Sequence, residues 1–301
     1  CVPLGCNVLL KHFPDWRKRG NTCLYLHSAK DDSVSESSAE QGPRLCSKRR
    51  TQDAFQLVSV PAENARMMER LVNYSSVAQS YVGNKLYRAL TTKDDFEDTE
   101  KMLTQLIFDL VVGEHTAGPG GDDPLKLEGP VLEFPQRFAR EAGLVAALVE
   151  MAYAPKKDNE LGSATRDSRD AEKPFSKVQR LVFQAIRLAF LDNTQNQEYF
   201  VASHTQDGTS FKKVLWQQIP YRCGATECLN SLIEKNFQVM DDLVTDESMK
   251  EFIGLIQDFG PRPDLMEYFE HVCACQNQPI LENQHQLLKQ LILHKAHSKE
   301  C

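Results

Sequence analysis

Between about residue 60 and residue 295 apolar side chains return every three or four positions, and no useful stretch alternates apolar with polar as a half-buried strand does. A chain patterned this way can bury its apolar stripes only helix against helix. Met67, Met68, Leu71 and Val72 open the pattern, and Val77, Tyr81, Leu86, Tyr87 and Leu90 continue it, predicting two helices joined near Ser75 and Ser76. Thr92 followed by Asp95 forms a starting cap for a further helix, whose face carries Met102, Leu103, Leu106, Ile107 and Leu110 and which stops near Gly113. The run Gly118-Pro119-Gly120-Gly121-Asp122-Asp123-Pro124 breaks any regular element and marks the main boundary of organisation.

Beyond that break, helix follows helix. Phe134, Phe138, Leu144, Ala147, Leu148 and Met151 lie around an interruption at Ala142-Gly143, and Val178, Leu181, Val182, Ile186 and Ala189 resume the period after an insert. The insert, 155–173, holds five basic and five acidic side chains within Lys156 to Lys173, with Leu161 the one large aliphatic, and reads as a charged loop. Asn193 to Gln197 reads as a turn, with Tyr199 and Phe200 beyond it. Phe211, Val214, Leu215 and Ile219 then precede Pro220, and Leu229, Leu232 and Ile233 mark a helix. Thr245-Asp246-Glu247 and Gly260-Pro261 bracket another, and Pro263 opens a third with Leu265, Met266, Phe269 and Val272 on its buried side. Pro279 precedes Ile280, Leu287, Leu288, Leu291 and Ile292.

Helices of ten to eighteen residues joined by short turns predict an all-α, armadillo-like helical-repeat domain, an α-solenoid, without a fixed-period repeat motif. The expected organisation is an irregular segment at 1–52, a helical segment at 53–117 forming the upstream part of the solenoid, a Gly/Pro linker at 118–130, the main helical domain at 131–295 and a tail at 296–301. The polar tract Asp31 to Gln41 reads as disordered.

Bulk properties narrow the function classes. A net charge of -7 and only two short basic clusters, Trp16 to Arg19 and Lys48 to Arg50, argue against nucleic acid as a partner. No apolar run reaches the length of a bilayer span: Leu144 to Val149 ends at Glu150, and Leu181 to Leu191 contains Arg187. A start at Cys1 without a signal sequence suggests a piece of a longer polypeptide. Nine cysteines, an odd number unevenly spread, fit a reducing compartment.

Candidate chemistry is sparse. His271-x-Cys273-x-Cys275 has metal-ligand residue types, yet on a helix His271 and Cys275 share a face from which Cys273 points away. Cys223 and Cys228 are spaced wrongly for a zinc knuckle, and no thiol sits in a nucleophile signature. Gly118 to Gly121 lacks the Gly-Lys-Ser/Thr of a phosphate loop. Asp241, Asp242, Asp246 and Glu247 read as acidic residues of a first helical turn rather than a calcium loop. These readings leave no catalytic, cofactor or metal residue and predict a protein-binding, non-enzymatic module. In a helical stack of this kind Trp216, Phe252, Met266 and Phe269 could line a partner groove, but core is the simpler reading.

The stretch Phe134-Pro135-Gln136-Arg137-Phe138-Ala139-Arg140-Glu141-Ala142-Gly143-Leu144-Val145-Ala146-Ala147-Leu148-Val149-Glu150 resembles the helix and break that open a ryanodine and inositol trisphosphate receptor homology (RIH) domain. The order of later features matches too: an insert, a helix over Val178 to Leu191, Asn193 to Gln197, a helix holding Cys228 to Asn236, then Phe252 to Gly260 and Leu265 to Cys275 with Gln276 to Gln284. The resemblance covers roughly the last 165 residues and fades upstream of Val131. It implies a cytoplasmic, armadillo-like regulatory domain of a homotetrameric, ligand-gated calcium-release channel of the endoplasmic reticulum, in contact with other domains and subunits of that channel and with regulatory proteins. The family's ligand site is not carried over, because no β-trefoil pattern and no matching basic cluster are present. The competing reading is a free-standing armadillo-like scaffold.

Overall fold

In a computed structural model of the protein, residues 7–8, 11–12, 24–27, 44–46, 55–56, 62–83, 94–116, 121–153, 174–276 and 278–297 are described. The chain divides into two compact units, Cys1–Ala65 and Arg66–Cys301. The first contains short antiparallel strands: β1 (Asn7–Val8) pairs with β5 (Phe55–Gln56), and β2 (Lys11–His12), β3 (Leu24–His27) and β4 (Arg44–Cys46) form a three-stranded sheet in that order. Asp31 to Gln41, both basic clusters and the charged insert lie outside the described residues.

The second unit is an all-α helical repeat. Its helices are α1 (Ala62–Gly83), which begins in the first unit, α2 (Asp94–Leu110), α3 (Glu133–Glu141), α4 (Leu144–Tyr153), α5 (Pro174–Phe190) and α6 (Thr194–Ala202). There follow α7 (Phe211–Gln218), α8 (Ala225–Ile233), α9 (Phe237–Leu243), α10 (Asp246–Phe259), α11 (Pro263–Cys273), the hairpin β6 (Ala274–Cys275) and β7 (Gln278–Pro279), and α12 (Leu281–His297). Neighbouring helices fall into rows. α2, α5, α8 and α11 pack successively in one, the short helices α3, α6 and α9 in a second, and α4 on α7 begins a third. The third row continues through the edge contact of Trp216 in α7 with Phe252 in α10, ring centres 5.9 Å apart, and ends with α12 on α10. Each repeat therefore has three elements: α2–α4, α5–α7, α8–α10, and a fourth in which the β6–β7 hairpin stands where a short helix would be.

Local sequence explains the element ends. Gly143 adopts φ +74° and ends α3, as the Ala142-Gly143 interruption predicts. Ser210, Asn193, Asn236 and Thr245 each accept a backbone N–H at the start of α7, α6, α9 and α10, and Thr245 exchanges bonds with Ser248 in a capping box. Pro263 occupies the first turn of α11, and Gly260 at φ +80° closes α10.

Two expectations are corrected. Ser75 and Ser76 lie inside the unbroken α1, because Leu71, Tyr74, Ala78 and Tyr81 carry one buried stripe past them, and buried Ser75 accepts a bond from Gln79 Nε2 at 3.4 Å. The stretch Asn193 to Gln197 is the cap and first turn of α6, with Asn196 and Gln197 buried. The described part of 118–130, the expected Gly/Pro linker, is packed. Val111 bridges Val131, a 3₁₀ turn at Pro124–Lys126 is capped by Asp123, and Gln184 in α5 donates to the carbonyl of buried Leu127 at 2.8 Å.

The core runs without interruption from Leu71 in α1 to Leu287 in α12. α5 lies at its centre, burying Leu181, Val182, Phe183, Ile186 and Leu188 completely between α2, α4 and α8. Each such side chain contributes roughly 1.5–3 kcal/mol of transfer free energy. α12 behaves differently: among its described apolar side chains only Leu287 is buried, whereas Leu281, Leu288 and Ile292 are 74%, 59% and 67% exposed.

Candidate functional site: the row of short helices

α3, α6 and α9 are joined by polar side chains that repeat from one unit to the next. Asn193, the cap of α6, donates from Nδ2 to Oε1 of Gln136, the fourth residue of α3, at 3.0 Å. Asn236, the cap of α9, makes the same bond to Oε1 of Gln197, the fourth residue of α6, at 2.9 Å. The asparagine oxygens are occupied as well, because Oδ1 of Asn193 accepts from Asn196 N–H and Oδ1 of Asn236 from Val239 N–H. One residue type thus opens a helix with its oxygen and ties that helix to the previous unit with its nitrogen.

The first rung is the more heavily braced. Gln136, 1% exposed, donates through Nε2 to the carbonyls of Leu188 and Leu191, at 2.8 and 2.9 Å, at the carboxy-terminal end of α5. Those carbonyls are among the four that a helix end leaves without an intrahelical partner. Asn196 donates to the carbonyls of Gln136 and Ala189 and accepts from Arg140 at 3.1 Å. Buried amides satisfied in this way fix a relative position, since any shift would strand donors away from water. In the fourth unit the hairpin completes the row: Gln276 N–H donates to the carbonyl of Glu234 at 3.1 Å, and its side chain to that of Lys235 at 2.6 Å. Sequence reading missed this ladder. Its available signal was the pair Asn193 and Asn236, each just before a short apolar-spaced run.

The outward side of the row is aromatic and acidic. Phe134, Tyr199 and Phe237, one on each short helix, are 36%, 41% and 40% exposed, and Phe134 stacks on Phe138 with ring centres 6.3 Å apart. The exposed cations are already engaged, Arg137 with Glu141 and Lys235 with Asp192.

A family model described as the RIH domain matches residues 100–301, about two thirds of the chain. The chain belongs to the ryanodine and inositol trisphosphate receptor homology family. RIH domains are parts of calcium-release channels of the endoplasmic reticulum membrane, and the family is not an enzymatic one. The match begins in α2, upstream of Val131 where the resemblance in sequence fades, in keeping with the packing of α2 on α5.

Within this RIH domain the candidate metal residues do not converge. α11 ends at Cys273 and the chain turns extended at Ala274, so His271 and Cys275 do not share the helical face that their spacing suggests. His271 instead lies 3.6 Å from Glu267, Cys275 is fully buried, and no group of three His, Cys, Asp or Glu able to hold a metal occurs among the described residues. Burial pushes the Cys223 thiol up to about 12 and raises those of Cys228, Cys273 and Cys275, with Asp241 and Glu234 adding to the rise at Cys275. Such thiols carry little thiolate at neutral pH and are poor nucleophiles. Asp246 and Glu247 occupy the first turn of α10, but Asp241 and Asp242 belong to the last turn of α9, a seven-residue helix too short for its period to be visible in sequence. Trp216, Phe252 and Phe269 belong to or pack on the core, while Met266 is 48% exposed. No helix among the described residues is long and apolar enough to cross a membrane.

Proposed function

We propose that this RIH domain is the coupling element of a ligand-gated calcium-release channel, acting on the cytoplasmic face of the endoplasmic reticulum and passing conformational change to neighbouring domains and subunits of a homotetramer by protein contacts. The observation that supports it is the ladder Gln136–Asn193 and Gln197–Asn236, which ties successive repeats by one geometry. A stack linked only by apolar packing can slide, whereas one pinned by directional buried bonds moves as linked bodies and can carry a displacement over several units. Thiols held protonated by burial fit a part that moves rather than reacts. We further propose 131–295 as the functional domain, with 53–117 as its upstream extension.

The test is Asn236→Ser in the full-length channel. Serine retains an oxygen to cap α9 but is too short to reach Gln197. Ligand-evoked calcium release from microsomes is expected to fall several-fold, with ligand affinity within about twofold of the parent. Unchanged release would refute the coupling role, and failure of the polypeptide to assemble with any pore would return the reading to a free-standing armadillo-like scaffold.

A further inference from the structure

The outward side of the short-helix row holds features that neither the core nor the ladder uses. α3 presents Glu133, Phe134, Arg137 and Glu141 to solvent, α6 presents Gln195, Glu198 and Tyr199, and α9 presents Phe237, Gln238, Asp241 and Asp242. Every helix of the row therefore exposes an aromatic ring, at the second position of α3, the sixth of α6 and the first of α9, and α3 packs on α6 and α6 on α9. A single exposed aromatic needs no explanation, but one recurring per repeat on the same row is a patterned surface. Its charge is one-sided. Arg137 is held between Glu141 and Glu133, Lys235 is neutralised by Asp192, Lys212 reaches the end of α9 beside Asp242, and Arg140 is turned inward to Asn196, so that Glu198 and Asp241 are left as a negative surplus around the rings.

We propose that this face docks a cationic amphipathic segment of a partner protein, its apolar side chains against Phe134, Tyr199 and Phe237 and its lysines or arginines beside Glu198 and Asp241. Charge complementarity selects that occupant. An acidic segment or a nucleic-acid backbone would be repelled, and an uncharged apolar segment would leave the carboxylates uncompensated. Tyrosine and phenylalanine supply contact area at low entropic cost, which suits anchors on an exposed face. The proposal rests on reading the chain as a protein-binding module, but its test does not involve the channel.

The experiment uses the 301-residue chain with two fluorescent 18-residue amphipathic peptides, one of leucine and lysine and one of leucine and glutamate, followed by anisotropy. The lysine peptide is expected to bind and the glutamate peptide not. The double variant Tyr199→Ser/Phe237→Ser and, separately, Glu198→Lys/Asp241→Lys should each weaken binding by about tenfold or more, the second difference shrinking at about 0.5 M salt. All four residues are exposed, so both variants are expected to melt with the parent chain. Equal binding of the lysine peptide to parent and both variants, or binding of neither peptide, would overturn the proposal. So would self-association of the parent chain abolished by the same substitutions, which would place a second copy on this face.

Discussion

Replacing Gln136 by alanine removes three side-chain hydrogen bonds in one step: two from Nε2 to the carbonyls of Leu188 and Leu191, and one accepted by Oε1 from Asn193. A satisfied buried bond is worth about 1 kcal/mol net, and a polar group left buried without its partner costs about 1–3 kcal/mol. Water can enter part of the space vacated by the side chain, and the last carbonyls of a helix can tighten onto 3₁₀ bonds, so not every orphaned group bears the full penalty. The expected loss is about 4 kcal/mol, read as a lower midpoint in a urea titration followed by helical circular dichroism with little change in slope. Asn193→Ser, which retains the cap oxygen, should cost about 1–2 kcal/mol. In the double variant the two losses should fall short of additive by about 1 kcal/mol, because the same bond is removed twice. A loss below about 1 kcal/mol for Gln136→Ala, or strict additivity with Asn193→Ser, would refute the argument that this rung fixes α3 and α6 to the end of α5.

Two glycines with positive φ separate backbone strain from steric conflict. At Gly224, φ +96°, an added Cβ would lie 3.1 Å from Cβ of Phe183 on buried α5, so Gly224→Ala should cost about 2–4 kcal/mol, whereas at Gly143, φ +74°, nothing lies within 4 Å and the cost should stay near 1 kcal/mol; urea midpoints of the two variants, if indistinguishable, would exclude the close approach of α8 to α5. Hydrogen bonds from Thr205, Tyr153 and Thr209 hold the Asp207 carboxylate down at about 2, below its ordinary 3.8. Because the folded value is the lower one, the stabilising contribution of Asp207 is complete above about pH 4 and is lost as pH falls toward about 2. Carbon-detected NMR of the side chain should show a midpoint near the lower value, and titration near 3.8 would mean that the 205–209 loop does not close around it.

What could be read from the sequence is what repeats at helical spacing or ends in distinctive chemistry. α2, α4, α5, α10 and α11 announce themselves by long apolar faces, and α4, α10 and α11 also by ends marked with Gly143, Thr245, Gly260 or Pro263. α9 was invisible because seven residues hold fewer than two turns of periodicity, and β6 and β7 because two-residue strands have no alternation to detect. The candidate site failed to appear for a different reason. Asn193, Asn196 and Gln197 are residue types that favour turns and surfaces, and only the approach of α3, with Gln136 57 residues upstream of Asn193, gives the first two their partners, as that of Asn236 at α9 does for Gln197. On α12 the same logic runs in reverse: Leu288, Leu291 and Ile292 have the spacing of a core stripe yet stay exposed among the described residues.

The hairpin that replaces the fourth short helix makes the two ends of the row unequal before mutation. At α3 the connection depends on the amide group of Gln136, and a single codon change can erase it. At Gln276 one of the two bonds comes from the peptide N–H, which every residue except proline supplies. Genetic drift can therefore rewrite the far edge among residues that tolerate its left-handed φ of +50°, while the near edge tolerates almost no spelling but its own.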